Sequence, residues 1–311
     1  MQSAMLSMAT ITCRRGADKF AARTVFGLLL VAISGFLLLP SQSLRAKDAK
    51  KFSKPAEANL GARKKQIQQE LETLKADWWA GDYYYGDGLG VNVEISLAPK
   101  SGFAFTWKGC SGLYDMNYGD VEESGGKIRL VFKLPNERKG FQGVAPEFLP
   151  IVWGARHYLI SADEVVKFAC AINAGSEPRK GEWGEFLLRR DDVSKSATGH
   201  PHLPPEYSGY LLEHPIDAEI SSIKGSYPRD SGRFSTVLLN VGASQGVKKG
   251  MEFYLYAPSD LFASATVTLV NTTSSEAEIF QCCSDEDKPP AVGWKLSTYI
   301  GRDCQNNDKS R

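Results

Sequence analysis

The chain has 311 residues, 42% of them hydrophobic and 23% charged, which is enough apolar material for real cores. A single core rarely outgrows roughly 250–300 residues, so two domains are expected. The formal net charge of +1 excludes a bulk attraction to nucleic acid or to an acidic surface.

The N-terminus reads as a targeting segment. Arg14, Arg15, Lys19 and Arg23 precede an uncharged apolar run from Val25 to Leu39, which Pro40 ends. A spanning helix needs about 20 apolar residues, whereas the core of a signal peptide has roughly 7–15. Ser41, Ser43 and Ala46 are small, so cleavage after Ser43 or Ala46 is expected. The alternative is an uncleaved anchor, with Phe20 to Ala22 and helix tilt lengthening the span. Residues 1–46 are therefore a signal peptide or an N-terminal membrane anchor. The basic flank puts the rest of the chain outside the cytoplasm either way. The expected location is the periplasm or the exterior, with an inner-membrane anchor through residues 25–39 where the leader is retained.

The remaining elements follow in chain order. Residues 47–62 are rich in Lys, Ala and Ser and read as a flexible stalk. Leu60, Ile67, Leu71, Leu74 and Trp78 recur at helical spacing, predicting a helix from Lys64 to Lys75. The period then becomes two. Val91, Val93, Ile95 and Leu97 alternate with polar residues, Pro99 to Gly102 makes a turn, and Phe103, Phe105 and Trp107 alternate again. A second turn falls at Ser124 to Lys127. Ser161 to Glu164 has the pattern of a capping box and predicts a helix through Ile172, closed by Gly175. A last strand runs from Gly184 to Arg190. Residues 63–190 thus form a helix plus an aromatic-rich β-meander or barrel.

Residues 191–215 are polar and Pro-rich and form the linker. Strand patterns at Ala218–Ile223, Thr236–Val241, Met251–Tyr256, Ala265–Val270 and Ala277–Gln281 give a second domain, a small β-barrel or sandwich over residues 216–302. Residues 303–311 form a tail. The fold class is mainly β (α+β). With 29 Gly, 12 Tyr, 15 Phe and 6 Trp, the composition agrees.

The cysteines that follow the leader are Cys110, Cys170, Cys282, Cys283 and Cys304. In an oxidising compartment they are disulfide candidates, Cys110 with Cys170 and Cys304 with Cys282 or Cys283, leaving one over. Adjacent Cys282 and Cys283 are a poor zinc signature.

The chemistry-bearing motifs are few. Gly86-Asp87-Gly88-Leu89-Gly90 has a misplaced third glycine and is followed by a strand, so it is not a dinucleotide loop. It is either a turn needing positive φ or a loop where backbone meets a ligand. Asp115 to Gly126 begins like a calcium loop but lacks the closing Glu. Gly86, Asp87, Gly88, Gly90, Trp107, Tyr114 and Asp115 are the candidate ligand-binding residues. Asp82, Asp87 and Asp115 are the candidate acids of a glycan hydrolase. His157 beside a cysteine would imitate a thiol hydrolase, without local support. No cofactor or metal is expected.

Two resemblances add to this. GDYYYGDGLGVN at Gly81–Asn92 and FTWKGCSGLYDMNYG at Phe105–Gly119 resemble an uncharacterised family of exported bacterial proteins, over most of residues 77–300. That family carries no function to transfer. LLNVGASQGVKKGM at Leu238–Met251 is similar to the strand–turn–strand unit of small β-barrels in envelope scaffold proteins, among them rod-shape-determining and flagellar-assembly proteins. The expectation is an exported, non-catalytic binding or scaffold protein whose partner is another envelope protein. The alternatives are a lipid- or glycan-binding module in the first β domain, with a small apolar or glycan ligand, and a glycan hydrolase.

Overall fold

A computed structural model describes residues 52–74, 78–86, 88, 90–110, 112–139, 142–178, 186–229, 232–259, 261–281 and 288–302. The leader at 1–46, Asp87, Leu89, Cys282, Cys283, Cys304 and the tail lie outside the described residues. No helix among the described residues is long and apolar enough to cross a membrane.

The architecture is mainly β, with two closed antiparallel barrels. The first is an eight-stranded meander of β1 (Gly81–Gly86), β2 (Val91–Ala98), β3 (Gly102–Gly109), β4 (Gly112–Ser124), β5 (Lys127–Phe132), β6 (Glu147–Trp153), β7 (Arg156–Ser161) and β8 (Phe186–Arg189). Pairing of Tyr83 with Arg189 and of Tyr84 with Leu188 closes it. The alternation seen in the sequence sets the two faces. Ile95, Leu97, Phe103, Phe105, Ile128, Leu130, Phe148, Leu159 and Leu187 are buried inside, and their neighbours point outward.

Helix α1 (Lys54–Thr73) lies on the outer face of β2, β3 and β4. It opens ten residues before Lys64, so residues 54–62 are helix rather than flexible stalk. Ser53 caps it by accepting from the Ala56 N–H at 3.4 Å, and Pro55 sits in its first turn, where a missing N–H costs nothing. Ala56, Leu60 and Ile67 pack on Ala98, Ala104 and Met116. Polar staples do much of the rest. The Glu70 carboxylate accepts from the N–H of Lys100 at 2.9 Å and of Ser101 at 2.6 Å, and Arg63 donates to the Ser101 carbonyl at 2.7 Å.

Helix α2 (Val165–Asn173) starts at Val165, not within a capping box at Ser161: Ser161 is the last residue of β7, and Glu164 makes no side-chain cap bond. Gly175, at φ +86°, ends it as expected. A 3-10 turn at Arg190–Asp192 and the short helix α3 (Pro205–Ser208) carry the linker.

The second barrel contains β9 (Asp217–Arg229), β10 (Gly232–Leu239), β11 (Glu252–Ala257), β12 (Ala263–Val270), β13 (Ser275–Gln281) and β14 (Lys295–Ser297), in the order β10-β13-β12-β11-β14-β9. Sequence reasoning missed β14, which is only three residues long. Its Leu296 joins Ile220, Val237, Leu239, Phe253 and Ile279 in the core.

Helix α2 joins the barrels. Phe168 packs on the outer wall of the first, with ring centroids 5.2 Å from Tyr158, 5.3 Å from Phe186 and 6.3 Å from Trp153. The next turn faces the linker and the second barrel. Asn173 donates to the Tyr210 carbonyl at 2.8 Å and accepts from the Leu212 N–H at 3.0 Å. The Ile300 N–H donates to the Ala174 carbonyl at 3.3 Å. Cys170 is a buried thiol whose Sγ lies 3.8 Å from the Gly250 carbonyl, so the Cys110–Cys170 staple is not formed. The two residues sit on different elements: Cys170 is turned toward the second barrel, and Cys110 is exposed at the β3–β4 turn.

Two outcomes check the packing. Ile67→Ala should lower unfolding free energy by about 2–5 kcal/mol in denaturant titration, because Ile67 is fully buried between helix and barrel. Burial raises the Glu70 carboxyl, but the bonds from Ser101 and Lys100 outweigh it and hold its pKa below the ordinary value. A depressed carboxylate stabilises above its unfolded pKa of about 4.3, and that contribution is lost as pH falls through the lower folded value. Hydrogen exchange in α1 should therefore accelerate on acidification below about pH 4, less steeply in Glu70→Gln.

Candidate functional site

The sequence-predicted ligand residues gather at one end of the first barrel. Gly86 pairs with Asn92, Val91 with Gly109, Trp107 with Asp115, and Gly109 with Gly112. Gly86, Gly88 and Gly90 line the β1–β2 turn, and the Gly88 N–H donates to the Asn92 carbonyl oxygen at 3.1 Å. Tyr84 also donates to the Asn92 side chain. Tyr114 is the extra residue of a β-bulge between Lys108 and Trp107 on the facing strand. Its ring lies across Gly109 so closely that a Cβ there would sit 2.1 Å from Tyr114 Cε2.

The bulge decides where Asp115 points. It restores the alternation so that Asp115 and Asn117 share the inner face with Trp107 and Phe105. Both are buried, at 2% and 1% exposure. Asp115 is therefore a strand residue inside a barrel, not part of a calcium loop. Its Oδ2 accepts from the Gly143 N–H at 2.6 Å. Asn117 Oδ1 accepts from the Leu134 N–H at 3.2 Å and its Nδ2 donates to the Leu134 carbonyl at 3.0 Å. These groups hold segment 133–146 over the end of the barrel, where Val144 and Ala145 are buried. Beneath it is a cavity of about 20 Å³ lined by Tyr85, Val93, Phe105, Trp107, Phe148 and Leu187. That is room for about one water.

The hydrolase carboxylates do not converge. Asp82 pairs with Ser96 on the outer face, where Gln68 of α1 donates to both its oxygens at 3.0 and 2.8 Å. Asp115 lies inside the wall, so the two acids cannot flank one glycosidic bond.

A second polar cluster escaped sequence reasoning. At the opposite end of the first barrel, His157 of β7 meets Asp192, which is fully buried. Asp192 Oδ2 lies 2.7 Å from His157 Nδ1 and accepts from the His157 N–H at 2.7 Å, while Oδ1 accepts from Lys195 Nζ at 2.5 Å. Beside it, buried Arg156 pairs with Glu177 at 2.6 Å and donates from Nε to the Lys195 carbonyl at 2.6 Å. Histidine oriented by a carboxylate is the arrangement of a general base. Here neither Cys110 nor Cys170 is the thiol beside it. Three of these partners lie in 177–195, so the network pins that segment to β7. Nothing in local spacing connects His157 to Asp192, since they meet only through closure of the barrel. Among the described residues no group of three or more His, Cys, Asp or Glu side chains is placed to hold a metal ion.

Two further thiol and carboxyl environments are structural. Burial, then the nearby Glu252, pushes the Cys170 thiol up to about 12. Native Cys170 should resist alkylation by iodoacetamide at pH 8 and label fully after denaturation, as peptide mass spectrometry can read. Burial raises the Asp192 carboxyl, but the bonds from Lys195 and His157 outweigh it, leaving the pKa below the ordinary value. Its contribution is present above the unfolded pKa of about 3.9 and fades as pH falls through the folded one. Asp192→Asn should destabilise the chain in urea at pH 7 by more than at pH 3. Compared with known protein families, curated proteins and solved structures, the chain matches none.

Proposed function

We propose that this chain is an exported, non-catalytic binding or scaffold protein that works in the cell envelope and presents its outer surface to another envelope protein. The observation that supports this most is the filling of both barrels. Their interiors are packed with side chains, the first retains room for about one water, and α2 couples them through the contacts of Cys170, Asn173 and Ala174. With no open interior, recognition falls to the outside. The basic leader with its apolar run, and the likeness of Leu238–Met251 to envelope barrels, supply the location. The inner-face position of Asp115 and outer-face position of Asp82 weigh against the hydrolase reading.

The test is crosslinking in living cells with a tagged full-length chain, followed by mass spectrometry. Repeated capture of one envelope protein is the expected result. Capture of nothing across crosslinkers, together with turnover of a substrate by the purified chain, would overturn the reading.

A further inference from the structure

We infer that segment 133–146 is a lid, and that the barrel end beneath it takes a small aromatic molecule carrying one hydrogen-bond donor. The proposal concerns the interior and goes beyond the surface reading above. A failed crosslink leaves it standing, and its own failure leaves that reading standing.

The segment is built differently from the wall it covers. It is anchored at both ends by backbone bonds, Lys133 N–H to the Tyr118 carbonyl at 3.0 Å and Leu130 N–H to the Pro146 carbonyl at 2.8 Å. Between these points its described residues pair with no strand. Side-chain latches hold it instead. Asp115 and Asn117 reach it from the inner wall, and Arg138 ties its outer limb to Asp163 at 2.9 Å. Asn136 closes the segment on itself, donating to the Val144 carbonyl at 2.9 Å and accepting from the Val144 N–H at 3.0 Å. Gly143 sits at φ +82°, and a Cβ there would meet the Glu137 carbonyl at 2.7 Å, so the closed turn depends on glycine. A segment held by a few side-chain bonds opens at lower free energy than a strand held along its length.

The size and lining of the space select the occupant. A cavity that takes benzene measures about 150 Å³, far more than the present about 20 Å³, so Val144 and Ala145 must withdraw first. What they uncover is aromatic and aliphatic: Tyr85, Val93, Phe105, Trp107, Phe148 and Leu187. A sugar would surrender its hydration there with few groups to replace it. Opening also takes the Gly143 N–H away from Asp115, which lies on the same inner face as Trp107. A buried carboxylate needs a replacement donor. An aromatic ring with one N–H satisfies both conditions.

The experiment titrates the full chain with indole, and with indene as the ring of like shape without the donor. Calorimetry and hydrogen exchange at Gly143 and Val144 are the readouts. Indole is expected to bind saturably, and indene about tenfold more weakly, the scale of one hydrogen bond to a carboxylate. Asn136→Ala should speed exchange at Val144 and tighten indole at least about threefold by populating the open lid. Val93→Phe should abolish binding by filling the site while the melting temperature confirms folding. The proposal fails if indole does not bind wild type or Asn136→Ala. It also fails if Val93→Phe binds as well as wild type, or if indole and indene bind equally.

Discussion

Helix α2 has no face left for water, and much of the molecule's order follows from that. In nine residues it must bury Phe168 against the first barrel and still offer Cys170 and Asn173 to the linker and the second barrel. An amphipathic helix on one barrel would leave the other barrel free to swing. A helix buried on both sides couples them, because moving the second barrel would strand the Asn173 amide and the Ala174 carbonyl without their partners. The tight approach of Tyr299 to Gly175, where a Cβ would sit 2.6 Å from Tyr299 Cε2, belongs to the same junction.

Closure of each barrel then sets where polar groups can go. Interior positions of a small barrel are filled by side chains, and polar residues there need partners with fixed geometry. The first barrel uses its interior Asp115 and Asn117 to satisfy the backbone of segment 133–146. At its other end Trp79 is buried and donates from Nε1 to Glu123 at 2.9 Å, and Tyr83 donates to the Trp79 carbonyl at 2.9 Å. Each end is therefore covered by chain rather than left open. The difference between them lies in chemistry: one cover is a tryptophan packed in the core, the other a loop on hydrogen-bonded latches above an aromatic mouth.

The outer wall follows a similar logic. Strands that would otherwise expose Ala98, Ala104 and Met116 are covered by α1, and those bearing Ile151 and Tyr158 by α2 and the linker. The network of Arg156, Glu177, Asp192 and Lys195 fixes the chain that runs between α2 and the second barrel. A histidine–carboxylate pair inside such a network is explained by what it holds in place.

The sequence by itself determined the class of the fold and much of its detail. Period-two alternation at Val91–Leu97 and Phe103–Trp107 marked inner and outer faces, because side-chain direction in a strand is a local property. Glycine at position 175 stopped α2 for an equally local reason. It also placed Gly86, Gly90, Trp107 and Asp115 near one another, since hairpins bring neighbours in sequence together. Tertiary structure alone decided the rest. The bulge at Tyr114 turned Asp115 inward, and no pattern in the chain announces a bulge. Closure of β1 on β8 brought His157 to Asp192, residues that periodicity cannot relate. Helix α1 extended back into a polar stretch because the barrel wall supplied partners for Arg63 and Glu70. In each case the deciding contact is long in sequence, and its free energy exists only once the barrel has closed.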